Sequence, residues 1–210
     1  MNSLKRNILY SLILGEASAL FLFFIIKNPY IEEIRSLAES FSSFSWVLFI
    51  AFPLIFLLGL ILGELLAKMF KIFRQIVRFG EIGVLNTFID FGILNLLIWI
   101  TGITGGMAIA PLNAVSFVCA TTNSYFWNRV WTFGKKESAT GKEFTQFLII
   151  AGVGIVINTG IVAIGTSLIS PLFGISPAGW TNIMKILATL ISMVWNFLGY
   201  KLWVFKIKHD

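Results

Sequence analysis

Charge is scarce in this chain of 210 residues: 12% of positions are charged and 57% are hydrophobic. Soluble domains carry about 25% charged and about 45–50% apolar residues. The shortage therefore excludes an ordinary soluble domain. Cysteine is almost missing. Cys119 stands by itself inside an apolar run, which excludes a disulfide framework and a thiolate metal site and reads as a small core residue. Histidine is nearly absent as well, since His209 sits in the C-terminal tail beside Lys208, where solvation is expected. No triad, no His/Cys metal spacing and no Walker-type phosphate loop can be assembled from such a chain. A covalent catalytic step is not expected, and neither is a metal or cofactor.

Long apolar stretches take the place of these features. Runs of about 20 apolar residues are enough to cross a hydrocarbon core of about 30 Å. Six such runs occur: Asn7–Ile26, Trp46–Leu66, Phe79–Trp99, Pro111–Trp131, Phe144–Leu168 and Asn182–Trp203. The first has Lys5 and Arg6 ahead of it, as a signal peptide does. Its apolar part is too long, Glu16 interrupts it, and no small-x-small cleavage site precedes Lys27, so it is kept as a span. Alternating segments of about ten residues, which a β-barrel needs, do not appear. The expected fold is an all-α polytopic membrane helix bundle with six transmembrane helices.

Orientation follows from where the cations fall. Of 16 Lys and Arg residues, 13 lie on one side: Lys5, Arg6, Lys68, Lys71, Arg74, Arg78, Arg129, Lys135, Lys136, Lys142, Lys201, Lys206 and Lys208. The other side keeps Lys27, Arg35 and Lys185, balanced by Glu32, Glu33 and Glu39. Both termini are expected in the cytoplasm, with the chain in the plasma membrane. The net charge of +6 is this bias, not a nucleic-acid surface. Asn28 and Pro29 form a helix-start signal, and Ile31, Ile34, Leu37, Ala38 and Phe41 follow at helical spacing. They predict a short amphipathic helix on the outer surface. The other outer loops, TGITGGMAIAP and SPLFGISPAG, are uncharged and rich in Gly and Pro, which suits turns or re-entrant caps.

An internal repeat runs through the second part of the chain. SYFWNRVWTF at Ser124–Phe133 returns as NFLGYKLWVF at Asn196–Phe205, an offset of 72. Arg129 then matches Lys201, Trp131 matches Trp203 and Phe133 matches Phe205. Earlier, RFGEIGVLNTFIDFGI from Arg78 matches QFLIIAGVGIVINTGI from Gln146 with an offset of 68, which aligns Asp90 with Asn158. Two spans make one unit, so the last four helices are expected as two parallel two-helix repeats. The expected division is an N-terminal transmembrane helix pair with its outer amphipathic segment at 1–73, and a four-helix domain at 74–210.

These repeated motifs resemble the GtrA-like family, whose members pair spans in this way and end each pair in an Asn-Phe-x-x-x-Arg-x-Trp-Val-Phe type signature. The same four-helix unit resembles the membrane domain of some dolichol-phosphate mannose synthases. The resemblance covers about two-thirds of the chain, from Arg74 to Ile207. Its first copy departs with Ser124, Tyr125 and Thr132, and its second carries Lys201 where Arg is usual. Lysine keeps the charge but loses the bidentate fork. The resemblance implies translocation of polyprenyl-phosphate-linked sugars across the membrane, or support of the glycosyltransferases that use them.

Several residues are candidates for that work. Arg129 and Lys201 end equivalent spans and would hold a lipid phosphate by charge-assisted hydrogen bonds. The competing reading is topology anchoring, with Trp131, Phe133, Trp203 and Phe205 as an interfacial aromatic belt. Asp90 lies twelve residues beyond Arg78, near mid-bilayer, where an ionised Asp costs about 2.5–3.5 kcal/mol. With Asn86 one turn earlier and Thr87 nearby, it suits a sugar-hydroxyl or proton site. Alternatively it holds helices together, as Asn158 would in the second unit. Steps of three and four residues place Asn113, Ser116, Ala120, Ser124, Trp127 and Trp131 on one face. The repeat gives Lys185, Ala188, Ser192, Asn196, Gly199 and Trp203 the same register, and Ala151, Gly154, Asn158 and Gly165 form a third small-residue stripe. Close helix packing accounts for such stripes as well as a sugar path does. Lys185 and Glu16 are costly unless paired or facing water, and Asp90 and Glu16 are the contacts open to Lys185. Glu64 and Glu81 read as interfacial ion-pair partners of Lys68 and Arg78.

The expected partners are a polyprenyl-phosphate-linked sugar, membrane lipids and a glycosyltransferase, with no nucleic acid. A bundle of four or six small spans is narrow for a sugar, which argues for a homodimer.

Overall fold

The computed structural model describes residues 3–26, 42–102, 109–135, 137–170, 172 and 177–206. Six helices account for most of them: α1 (Ser3–Ile26), α2 (Leu48–Leu66), α3 (Ile72–Thr101), α4 (Ile109–Trp127), α5 (Gly141–Leu168) and α6 (Pro177–Gly199). A short 3-10 turn, Ser42–Val47, leads into α2. No strand occurs among the described residues. Three stretches there are long and apolar enough to cross a membrane: Leu4–Ile26, Ser45–Leu66 and Ile72–Thr101. The amphipathic segment expected at Asn28–Phe41 lies outside the described residues, as does much of both uncharged outer loops.

The helices start and stop where local chemistry requires it. Gly102, at φ 69°, ends α3 in the left-handed region and returns its N–H to the Ile98 carbonyl at 2.8 Å. Thr140 caps α5 by accepting the Glu143 N–H at 3.1 Å, and Glu143 occupies the third helical position of a Thr-x-x-Glu capping box. Lys135 reaches back to Glu143 at 2.8 Å and fixes the entry to that helix. The third helix starts at Ile72, ahead of the expected Phe79. Its first turns carry Arg74 and Arg78, whose charge ends the apolar run in sequence but not the helix.

Both later helices lose their α register at the repeated motif. Asn128–Thr132 and Tyr200–Val204 are π-helical turns, each five residues long and offset by 72 in sequence. Phe133 N–H reaches the Asn128 carbonyl at 2.9 Å and Phe205 N–H reaches that of Tyr200 at 2.7 Å, the i to i−5 spacing that defines the turn. Gly134, at φ 60°, then turns the chain away from the first of them.

The chain divides into two compact units, Met1–Gly134 and Lys135–Asp210. In the first, α1 packs on α2 and α3, and α3 packs on α4. Its core is built from Leu14, Phe56, Leu60, Ile82, Leu85, Ile89, Ala120 and Trp131. Small residues permit close approach: a Cβ on Gly15 would stand 2.6 Å from Pro53 Cα, and one on Gly92 would stand 2.7 Å from Phe21 Cδ1. The outer face of α2 is apolar and exposed at Leu54, Ile55, Leu58, Ile61, Leu62 and Leu65. This inverted surface belongs in lipid, and the protein is an all-helical membrane protein. The second unit is the α5–α6 pair, centred on Phe147 stacked against Tyr200 at 4.2 Å and on Phe205 beside both.

Candidate functional site

A polar seam runs between α3 and α4. Ser116 Oγ donates to Asp90 Oδ1 at 2.7 Å, and Asn123 Nδ2 donates to Asn86 Oδ1 at 2.8 Å. Asp90 and Asn86 are one turn apart on α3, while Ser116 and Asn123 are two turns apart on α4. Each acid or amide therefore meets a partner from the antiparallel helix. An Asp in an apolar span is tolerable when a neighbouring helix supplies a donor, and Ser116, fully buried, is that donor. Thr87 does not join the seam; its hydroxyl donates to its own helix at the Gly83 carbonyl, at 3.0 Å.

Below the seam the chain enters the first π turn. Asn128 Nδ2 donates to the Ser124 carbonyl at 2.9 Å and to Ser124 Oγ at 3.2 Å. Asn128 Oδ1 and Thr132 Oγ1 are buried and meet no hydrogen-bond partner among the described residues. Arg129 is buried in the same turn. A cation, two open acceptors and an irregular backbone thus occupy one short stretch. Lys201 holds the equivalent place in the second unit, half-buried, with its Nζ 5.9 Å from the centre of the Phe197 ring.

The aromatic-belt reading of the motif needs correction. Trp131, Phe133 and Phe205 are buried at 3%, 4% and 1% exposure, whereas Trp203 is 47% exposed. Trp131 is enclosed because α1 packs over it: its indole Nε1 donates to Asn7 Oδ1 at 3.2 Å, and its ring lies 6.0 Å from Tyr10. Only Trp203 retains the surface an interfacial anchor requires. Cys119 is also corrected, being exposed on α4 and not part of the core.

Glu81 departs from the expected interfacial ion pair. It is buried, and Ser11 Oγ on α1 donates to its Oε2 at 2.9 Å. The other oxygen, Oε1, meets no partner among the described residues, and a Cβ on Gly59 would stand 3.2 Å from it. A carboxyl group is thus held among α1, α2 and α3. The sequence signal was present in the small polar residues Ser11 and Ser18, two turns apart on α1, but it gave no register against α3. Glu64 does form the expected kind of pair, with Arg74 at 2.7 Å and Arg78 at 3.4 Å. Glu16 is exposed on α1.

The second unit carries a different seam. Trp195 Nε1 donates to the Ile150 carbonyl at 3.1 Å, and Ser192 Oγ donates to the Ala188 carbonyl at 2.7 Å. Asn196 packs so tightly on α5 that a Cβ on Gly154 would stand 2.5 Å from its Oδ1, an oxygen without a partner among the described residues. Gly154 corresponds to Asn86 in the repeat, so one unit places a glycine where the other places an amide. Asn158 and Lys185 lie on α5 and α6, and their side chains, like that of Asn113, fall outside the described residues.

An all-helical membrane chain with buried interhelical polar pairs is the class defined by these features. Residues 78–205 match the family described as GtrA/DPMS, transmembrane domain, and the chain belongs to that family. A Bacillus subtilis (strain 168) protein, named uncharacterized membrane protein YngA, is 35% identical over 133 residues, covering 63% of this chain and 80% of its own length. No solved structure matches the chain.

Proposed function

We propose that the protein translocates polyprenyl-phosphate-linked sugars across the plasma membrane for cell-surface polysaccharide synthesis. The six helices all serve as spans in this reading, with both termini cytoplasmic and the last four helices forming two parallel repeats. The pair at 1–73 is an addition to the four-helix domain at 74–210. Membership of the GtrA/DPMS family supports the substrate class. The observation that carries the reading is the paired seam Asp90–Ser116 and Asn86–Asn123, which runs through an apolar helix pair toward Arg129. Sugar hydroxyls exchange hydrogen bonds with such groups, while Arg129 in the first unit and Lys201 in the second are each suited to a phosphate and the lipid tail stays in the bilayer. The other sequence candidates, Ser124, Asn196, Asn158 and Lys185, are assigned to the substrate in this reading, a homodimer supplies the width, and no covalent step is involved.

Reconstitution without any glycosyltransferase provides the test. Proteoliposomes loaded with a polyprenyl-phosphate sugar in one leaflet are expected to expose it in the other. Asp90→Ala and the double variant Arg129→Gln with Lys201→Gln are expected to lower that rate at least tenfold. An unchanged lipid distribution, together with stable co-purification of a glycosyltransferase, would instead make the protein a membrane scaffold for that enzyme.

A further inference from the structure

Three arginines of the first unit meet around one cavity of about 310 Å³, lined by Leu4, Arg6, Asn7, Glu64, Arg74 and Arg78. That size is at the lower end of the range in which small ligands are held, about 300–1,000 Å³. The N-terminus of α1, the C-terminus of α2 and the N-terminus of α3 all contribute to it. Its charge does not balance. Glu64 is the one carboxylate among six lining residues, against three guanidinium groups, which leaves an excess of two positive charges.

Two of the three arginines are also held in place. Arg74 grips Glu64 with Nε at 2.8 Å from Oε1 and Nη2 at 2.7 Å from Oε2. Arg78 is tied by Nη1 to the Trp131 carbonyl at 3.2 Å and by Nη2 to Glu64 at 3.4 Å, with its guanidinium carbon 5.7 Å from the Trp131 ring centre. Its Nε is buried and has no acceptor among the described residues. A buried, unpartnered guanidinium donor is costly unless an anion meets it.

We propose that this cavity binds the phosphate monoester headgroup of a membrane lipid. The guanidinium fork matches phosphate oxygens in a bidentate manner. A phosphate monoester carries about −1.5 to −2 charges at neutral pH, which matches the excess of two, whereas a diester carries only one. A lipid is the source because the cavity lies where three helices end and both α1 and α2 expose apolar residues beyond it, among them Leu9, Ile13, Ile61 and Leu65. A tail can lie along that surface while the phosphate enters. The site uses residues of α1 and α2, which precede the family-matched region at 78–205, and it stands whether or not sugars are translocated.

The test uses the full-length protein in phosphatidylcholine nanodiscs, titrated with dioleoyl phosphatidic acid, with dioleoyl phosphatidylglycerol, or with inorganic phosphate. Binding is read by native mass spectrometry for the lipids and by tryptophan fluorescence for all three. Phosphatidic acid is expected to bind about tenfold tighter than phosphatidylglycerol, and inorganic phosphate at millimolar concentration is expected to have no effect. Arg6→Gln, on an exposed residue that leaves the core intact, is expected to weaken phosphatidic acid binding about tenfold, the value of one charge-assisted contact. Glu64→Gln is expected to keep or tighten binding, because it removes the competing carboxylate. Equal affinity for the two lipids, or wild-type binding by Arg6→Gln in a protein with unchanged helix content, would overturn the proposal. So would loss of binding in Glu64→Gln with the fold retained. Saturation by inorganic phosphate would overturn the assignment to a lipid.

Discussion

A methyl group at Gly199 would stand 2.7 Å from Ile150 Cγ2, whereas one at Gly80 would meet nothing within 4 Å. Gly199→Ala is therefore expected to destabilise the α5–α6 pair by about 1–3 kcal/mol through overpacking. Gly80→Ala is expected to be neutral or to stabilise by up to about 1 kcal/mol, since alanine is the better helix former. Thermal unfolding in detergent, followed by circular dichroism, compares the two. At Glu81 the critical partner is Ser11. Ser11→Ala would remove the hydrogen bond on Oε2 while Oε1 already lacks one, and a loss of about 1–3 kcal/mol is expected. Ser18→Ala serves as the control, because that hydroxyl donates only within its own helix, to Leu14 at 2.8 Å. A Ser11→Ala protein as stable as the control would show that the carboxyl is satisfied by another route.

The elements to single out are the two π turns. Each holds one residue more per hydrogen-bonded ring than an α turn does. The extra residue is accommodated by widening the turn, so deleting Val130, which is exposed at 49%, would restore α spacing and leave the residues after it facing much as before. Trp131 would then stay against Tyr10 and Asn7. The expected result is unchanged tryptophan emission and a retained buried indole N–H signal in proton NMR, with total helix content constant, and a red shift would show that the wide turn itself directs Trp131. The sequence makes the six helices legible through their apolar runs, and it makes the motif legible through repetition. It does not reveal the π turns: SYFWNRVWTF has no proline or glycine to mark a departure from α geometry, and Gly199 in NFLGYKLWVF is itself in α geometry. It also did not reveal that Trp131 is buried. Tryptophan near a cation at a span end suits an interface equally well, and the difference lies in α1, more than a hundred residues away in sequence. Asp90 and Asn86 were legible as costly polar groups, but the Ser116 and Asn123 partners depend on the register between two helices, which composition does not specify. The Trp127 and Gly199 asymmetry has a similar cause. Trp127 has Tyr10 to pack against at 5.3 Å, while Gly199 lets α6 close directly on Ile150.

For the whole molecule, orientation is the property most open to a direct test. Glu137 is 73% exposed near the start of the second unit, and the cation distribution predicts it on the cytoplasmic side. With Cys119 replaced by serine, Glu137→Cys is expected to react with a membrane-impermeant maleimide in inside-out vesicles and to resist it in intact cells. Labelling of intact cells would reverse the topology. Within the first unit, α1 comes so close to α2 at Gly15 that a side chain there would overlap Pro53 and the Phe52 carbonyl carbon. Gly15 lies near the midpoint of the 24 residues of α1. Toward the end of α1 the two helices meet again, with the Phe23 and Phe49 rings 6.3 Å apart. A rod held at its middle and at one end is a clamped beam, so a headgroup entering beside Arg6 would bend the first turns of α1 against a fixed point and would not tilt the helix as a whole.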